Sequence, residues 1–285
     1  MKTVAEWLST AIDELRDLGG DEARLSSEVL LGELLGLNRT ALYLEGAKQV
    51  SSELADQFQK QLELRKRRTP LAYILGKSFF WNECLKVGPG CLIPRPETEI
   101  LIEQVIALIN DPTASFTFID IGTGSGAIAI ALLRHFPKSH AALIDSSAAA
   151  LSYARENAAQ YGLSDRVEFI HSDCFSFFAQ TGKKWDWVLS NPPYLSHKDL
   201  LELQPELKYE PLQALDGGPE GLSFYQKLFA AVPLILKAGG WMAVEMGIGQ
   251  SEVLQQEAKK FNFHNLHIAP DYSGIDRVLM AEVGF

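Results

Sequence analysis

The chain has 285 residues, 47% hydrophobic and 22% charged, with a formal net charge of −10. That length allows one or two domains with a core of ordinary size, and the acidity argues against broad contact with nucleic-acid phosphates, which calls on Lys and Arg. Three cysteines (Cys84, Cys91 and Cys174) with no CxxC pair indicate neither a disulfide framework nor a structural zinc site, and the apolar run 228–236, interrupted by Pro233, is far short of the ~20 residues of a membrane span.

Along the chain, Val4, Trp7, Leu8, Ile12, Leu15 and Leu18 recur at spacings of three and four and predict a helix ended by Gly19-Gly20. A second helix runs through Ala23, Val29, Leu30, Leu31, Leu34 and Leu35 to Gly36. Asn38 or Thr40 caps a third, and Ser51 or Ser52 opens a fourth that Thr69-Pro70 stops. The basic run Arg65-Lys66-Arg67-Arg68 is either a solvated helix end or a contact to RNA or to a partner near RNA. Residues 1–74 thus form a small helical bundle. Residues 75–94 read as a β-hairpin linker, with Phe79-Phe80-Trp81 and Cys84 to Val87 flanking an Asn82-Glu83 turn, punctuated by Gly88-Pro89-Gly90.

Residues 95–285 alternate between strand and helix. Apolar strands are expected at 117–121, 141–144, 167–170, 187–189, 241–245 and 278–282, with helices such as 128–133 and 147–161 between them. This pattern predicts an α/β fold, a doubly wound, mostly parallel sheet, beside the small all-α N-terminal domain.

Asp120-Ile121-Gly122-Thr123-Gly124-Ser125-Gly126 follows the first of these strands and opens a helix. The glycines allow a sharp turn and close approach to a ligand, and the helix start offers unpaired N–H groups. Asp145 ends the second strand, where a carboxylate can accept from both ribose hydroxyls of a nucleoside cofactor. Gly122, Gly124 and Ala127 also satisfy the permissive dinucleotide fingerprint, so the loop by itself leaves NAD open.

Asn191-Pro192-Pro193-Tyr194 follows the fourth strand and leaves the same edge of the sheet. An amide or aromatic-amine nitrogen is a poor nucleophile, because its lone pair is delocalised. Two acceptors on its N–H groups would orient it toward an electrophilic methyl group. Asn191 supplies a side-chain oxygen, and the backbone carbonyl of Pro192 is held rigid by the proline ring. Pro193 continues the loop, and Tyr194 offers a π-face to the substrate plane or to the cationic nitrogen. Hydride transfer needs none of these groups, so the tetrapeptide turns the reading from NAD to S-adenosyl-L-methionine.

The chain resembles the glutamine-N5 methyltransferases that act on peptide chain release factors (the HemK/PrmC family). The matching segments are Pro70 to Gly76, Leu92-Ile93-Pro94-Arg95-Pro96-Glu97-Thr98-Glu99, the glycine loop, the tetrapeptide, and downstream Tyr209-Glu210-Pro211, Glu245-Met246-Gly247 and Asp276-Arg277-Val278. The resemblance implies a Rossmann-like class I methyltransferase domain using S-adenosyl-L-methionine. It implies catalysis by Asn191, Pro192 and Tyr194, with substrate held by those residues, Pro193 and Arg95. Cofactor contacts are implied from Gly122, Thr123, Gly124, Gly126, Asp145, Asp173, Cys174 and Asn191. The substrate would be the glutamine of the Gly-Gly-Gln loop, docked by the helical domain, in a monomeric cytoplasmic enzyme with no direct nucleic-acid partner, no membrane and no metal. Where the family often reads Asp-Trp-Phe, this chain has Asp173-Cys174-Phe175. Arg95 is expected to steer a carboxylate or to pair with Glu97 or Glu99. Glu210 and Asp216 are expected either to orient the loop after the tetrapeptide or, as the favoured reading, to lie at the surface. The tetrapeptide is shared with adenine-N6 and guanine-N2 nucleic-acid methyltransferases, the alternative reading, for which a more basic chain would be expected.

Overall fold

The structure, a computed structural model, describes residues 2–284. The chain divides into two compact units. One contains the residues up to Gly76 together with Pro205–Tyr209; the other contains Lys77–Gln204 and the residues from Glu210 onward.

The first unit is helical: α1 (Val4–Glu14), α2 (Gly20–Leu35), α3 (Arg39–Leu44), α4 (Ser52–Lys66) and α5 (Leu71–Leu75). Local chemistry sets the boundaries. Thr3 and Glu6 close a reciprocal capping box on α1, Asn38 caps α3 and Ser51 caps α4, and Gly36 ends α2 in the left-handed region. Val4, Leu8, Leu15, Leu30, Leu31, Phe58 and Leu62 form its core. The first helix stops at Glu14, earlier than its apolar period suggests. A tight turn, Arg16–Leu18, replaces its last stretch, and Gly20 opens α2 instead of closing α1.

The basic run is largely consumed within this unit. Arg65 is buried: its guanidinium bonds Ser26 Oγ at 3.0 Å, Glu22 at 2.8 Å, Glu206 at 3.0 Å and the Thr69 carbonyl at 3.2 Å. Lys66 pairs with Glu14 and Glu63, and Arg68 pairs with Glu206. Arg65 is therefore neither a solvated helix end nor a free phosphate ligand.

The second unit opens with a hairpin, β1 (Lys77–Phe80) and β2 (Glu83–Lys86). Its turn falls at Trp81-Asn82, one residue earlier than expected. Trp81 takes a positive φ of 56°, and Glu83 joins the strand, where its buried carboxylate pairs with Arg134. Then follow α6 (Glu99–Ile109), β3 (Thr117–Ile121), α7 (Ala127–His135), β4 (His140–Asp145), α8 (Ala148–Gln160), β5 (Val167–His171), α9 (Phe175–Gln180), β6 (Trp185–Ser190), α10 (His197–Leu201), α11 (Ser223–Ile235), β7 (Leu236–Glu245), α12 (Ser251–Lys260), β8 (Phe263–Pro270) and β9 (Asp276–Val283).

The seven-stranded sheet runs β5-β4-β3-β6-β7-β9-β8. Neighbours from β5 to β7 are parallel; β9 is antiparallel to β7, and β8 to β9. Buried apolar clusters cover both faces, one containing Leu101, Ile130 and Leu143, the other Ile119, Tyr225 and Phe229, which is why the central strands read as continuous apolar runs. Strand order reverses between β3 and β6, a topological switch point of the kind that opens a ligand crevice at the carboxyl edge. In that register Ile121 pairs with Ser190, so Gly122 and Asn191 leave the sheet side by side.

Candidate active site at the carboxyl edge of the sheet

Gly122, Gly124 and Gly126 have φ of 69°, 58° and 82°, values that side chains rarely adopt. With no Cβ, the first two present bare backbone to a cavity of about 350 Å³. Its wall also includes Leu92, Asp145, Ser147, Cys174, Asn191, Pro192, Pro193, Pro211 and Phe224. The Asp145 carboxylate accepts from Gly124 N–H at 2.9 Å and Ser147 N–H at 2.8 Å. Burial raises its pKa above the ordinary carboxylate value, against the lowering effect of these backbone bonds.

A smaller cavity of about 40 Å³ adjoins the loop, lined by Phe80, Leu92, Pro94, Thr98, Gly122 to Ser125, Ala127, Ile128 and Asn191. Thr123 turns its hydroxyl away to Asp120 at 2.6 Å. Burial pushes the Asp120 carboxyl up to about 7. The buried Ser125 Oγ has no partner among the described residues. The Gly126 turn caps α7 and lines neither cavity.

Asn191 lines both cavities. Its amide nitrogen donates to Thr98 Oγ1 at 2.9 Å, and Thr98 donates in turn to Glu245 Oε2. Tyr194 donates to Glu245 Oε1 at 3.2 Å. Burial pushes the Glu245 carboxyl up to about 7, against the lowering effect of the Thr98 and Tyr194 hydrogen bonds. No described residue donates to the Pro192 carbonyl or to Asn191 Oδ1, which leaves both free to accept, and both residues line the larger cavity. Both prolines follow trans peptide bonds.

Several expected contacts fall elsewhere. Tyr194 does not line the cavity; its ring packs against the core cluster that holds Tyr225 and Met246. Burial raises its hydroxyl well above the ordinary phenol. Asp173 is exposed, and its carboxylate caps α9 through the Ser176 N–H and hydroxyl, while Cys174 reaches the cavity with φ of 63°. Arg95 pairs with neither Glu97 nor Glu99. It meets Glu210 at 2.5 Å, and Glu210 is buried instead of lying at the surface. Asp216 is half-buried, accepts from Gly218 N–H at 2.8 Å and lines the cavity. The sequence placed Thr98 in the segment 93–98 expected to line the cofactor cleft, but missed Glu245 as part of the site and missed the pairings Thr98–Glu245 and Arg95–Glu210. Thr98 and Glu245 sit in segments that carry the family resemblance, but nothing local marks them as partners.

The site suits a nucleoside cofactor. A carboxylate faces a cavity whose floor is a side-chain-free glycine turn, with apolar Leu92, Cys174 and Phe224 in the wall and an orphaned serine oxygen at the smaller chamber. The same edge sets two rigid acceptors beside it. Among the described residues no group of His, Cys, Asp and Glu is arranged to hold a metal, and no helix is long and apolar enough to cross a membrane.

Comparison with known proteins agrees with this geometry. Residues 6–76 match the PrmC N-terminal domain family, and residues 97–218 match the methyltransferase small domain family. The release factor glutamine methyltransferase of Geobacter sulfurreducens is 38% identical, over 99% of this chain and 97% of its own length. That of Moorella thermoacetica is 36% identical, over 98% of each. Among solved structures, the T. thermophilus 16S rRNA N2 G1207 methyltransferase in complex with AdoMet and guanosine aligns with a TM-score of 0.52 at 16% identity. It covers 73% of this chain and 49% of that one, a likeness of fold alone. A chain that shares more than a third of its residues with such relatives over nearly its whole length, and carries this sheet with its N-terminal helices, belongs to the release factor glutamine methyltransferase family.

Proposed function

We propose that the chain methylates the side-chain amide nitrogen of the glutamine in the Gly-Gly-Gln motif of peptide chain release factors, using S-adenosyl-L-methionine. The observation that carries this reading is that Asn191 and Pro192, whose side-chain and backbone oxygens have no donor among the described residues, both line a cavity suited to a nucleoside. A primary amide has two N–H groups, and two acceptors at fixed positions bind both.

The cofactor supplies an electrophilic methyl group on a sulfonium sulfur. Gly122 and Gly124 would hold it by their backbone, Asp145 through its ribose hydroxyls, and Cys174 from the cavity wall. The two acceptors orient the substrate nitrogen and stabilise the positive charge it gains, the preorganised-dipole contribution that needs no reorganisation at the moment of transfer. The methylated amide nitrogen is strongly acidic and loses its proton without a dedicated base. Pro193 carries the chain over the cavity, and Tyr194, tied to Glu245, anchors the loop from behind. Arg95 acts through Glu210 on the wall formed by residues 92–94. The helical unit docks the protein substrate. The reaction requires one copy of the chain and no nucleic acid, and translation places it in the cytoplasm.

The direct test is transfer of a tritiated methyl group to purified release factor, to its glutamine-to-alanine variant at the Gly-Gly-Gln motif, and to bulk DNA and rRNA in parallel. Label confined to the unmutated release factor is expected. Label in nucleic acid would replace this reading with amine methylation of bases.

A further inference from the structure

A side-chain amide is nearly symmetric in shape, so a pocket that needs an oxygen must also prevent the amide from turning over. Unconstrained, Asn191 would present its oxygen for part of the time and its NH₂ for the rest. An NH₂ facing the substrate amide opposes donor to donor.

The hydrogen-bond directions around Asn191 remove that freedom. Glu245, at the end of β7, is fully buried, and as a carboxylate it only accepts. One oxygen takes the Tyr194 hydroxyl, the other the Thr98 hydroxyl. A hydroxyl has a single proton, and Thr98 spends it on Glu245. Thr98 Oγ1 can therefore offer Asn191 only lone pairs, and the Asn191 amide nitrogen fills them at 2.9 Å. The opposite end of the amide, the oxygen, is left for the cavity that Asn191 lines. Turning the amide over would set two oxygen lone pairs against each other at Thr98.

We propose that Thr98 and Glu245 are positioning residues which lock the Asn191 side-chain amide with its oxygen toward the substrate. Neither touches the reacting atoms; both act through Asn191. The placement supports the role. Thr98 ends the short Pro96–Thr98 turn that leads into α6, and is itself buried. Among the described residues no cation is in hydrogen-bond contact with Glu245; the nearby Arg277 guanidinium is bonded to Asp271 and the Met246 carbonyl. A carboxyl buried without a paired cation is a cost to the fold, and it is spent where it polarises one threonine and one tyrosine. This inference rests on the methyl transfer proposed above.

The test is a double-mutant cycle of Thr98→Val with Asn191→Ala, beside Thr98→Ser. Methyl transfer to release factor and S-adenosyl-L-methionine affinity by calorimetry are read in each. Thr98→Val keeps the shape and removes the hydroxyl. It is expected to lower kcat by about tenfold, the scale of misaligning one preorganised dipole, and to leave cofactor affinity within about threefold. Thr98→Ser restores most of kcat. In the Asn191→Ala background Thr98→Val has no further effect, because two residues acting through one group are not additive. Wild-type kcat in Thr98→Val, or losses that simply multiply in the double variant, would overturn the proposal. If Thr98→Val does not fold, Glu245→Gln with Asn191→Ala carries the same cycle and the same two outcomes. A wild-type chain that transfers no methyl to release factor would instead sink the underlying reaction, and is recognised before any variant is made.

Discussion

Arg95 and Glu210 form an ion pair at 2.5 Å, and the second carboxylate oxygen of Glu210 takes the Ile93 N–H at 2.9 Å. One buried side chain thus ties two points of the segment whose Leu92 and Pro94 line the cavities, while Pro211, its sequence neighbour, lines the larger one. Removing it leaves a backbone N–H and a guanidinium without their acceptor. Glu210→Ala is expected to weaken cofactor affinity by about tenfold, through a wall that loses its anchor and not through a lost ligand contact. Calorimetry measures this. An unchanged affinity would mean that Pro94 and Pro96 hold the segment by themselves.

Asn191→Ala separates binding from chemistry. Its side chain is assigned to the substrate amide, so S-adenosyl-L-methionine affinity stays within a few-fold while methyl transfer falls by about 10²-fold, the scale of losing one preorganised dipole. Single-turnover transfer with saturating cofactor reads the second quantity. Equal losses in both would make Asn191 mainly a structural residue of the edge.

Asp145→Ala should do the reverse. The carboxylate faces the cavity and also holds the Gly124 and Ser147 N–H groups, so its loss removes the proposed hydroxyl acceptor and loosens the glycine turn together. Cofactor affinity is expected to fall first, by about tenfold or more, with kcat at saturating cofactor much less affected. Wild-type affinity would remove Asp145 from the ribose role. Asp145→Asn, which keeps one acceptor oxygen, should lie between.

Arg65 gives a prediction about folding. A buried arginine with four partners cannot be replaced by an apolar side chain without leaving the Thr69 carbonyl unpaired, although Ser26 Oγ keeps its bond to Glu22, and Glu22 and Glu206, partly exposed, can rehydrate. Arg65→Met should destabilise the helical unit by about 2 kcal/mol. Hydrogen exchange in α2 and α4 of the full chain is expected to speed up, with the β3–β4 core unaffected.

How much of this was legible beforehand follows from what is local. The sheet strands, the helix caps at Asn38 and Ser51, and the glycine turn are written in short windows, because periodicity, capping and positive φ are properties of neighbouring residues. The edge that unites Gly122 and Asn191 was legible as well, since a parallel sheet sends all its strand ends one way. Partners distant in sequence were not. Arg95 sits beside Glu97 and Glu99 in sequence, yet its carboxylate is Glu210, and Thr98, at the start of α6, finds Glu245 only once α6 packs against β7. Arg65 looked like surface charge because a run of four basic residues carries no sign of which one turns inward. The hairpin turn was misplaced by one residue because Asn82-Glu83 has the polar character of a turn, while the positive φ is taken by Trp81, a residue that seldom accepts it.

Glu245 gives the pH prediction. Its carboxyl is raised from an ordinary 4.5 to about 7 by burial, with Glu97 adding to the rise, while Thr98, Tyr194 and the charge of Arg277 oppose it. From α11, Tyr225 donates to its backbone carbonyl. A carboxyl raised in the folded state binds more protons there than in the unfolded chain. Its contribution to stability is therefore fully present below about 4.5 and is lost as pH climbs through about 7. Asp120, raised by burial from 3.8 to about 7, contributes with the same sign. Glu245→Gln removes one of these proton-linked terms. The stability of the variant relative to wild type should accordingly rise between pH 5 and pH 7.5, as followed by urea midpoints. Activity should move the opposite way. Only the ionised carboxylate fixes Thr98 as donor, so wild-type kcat climbs toward a plateau as pH passes about 7, and Glu245→Gln loses that limb while retaining cofactor affinity. A kcat profile identical in wild type and variant would mean that the Asn191 amide is oriented without Glu245.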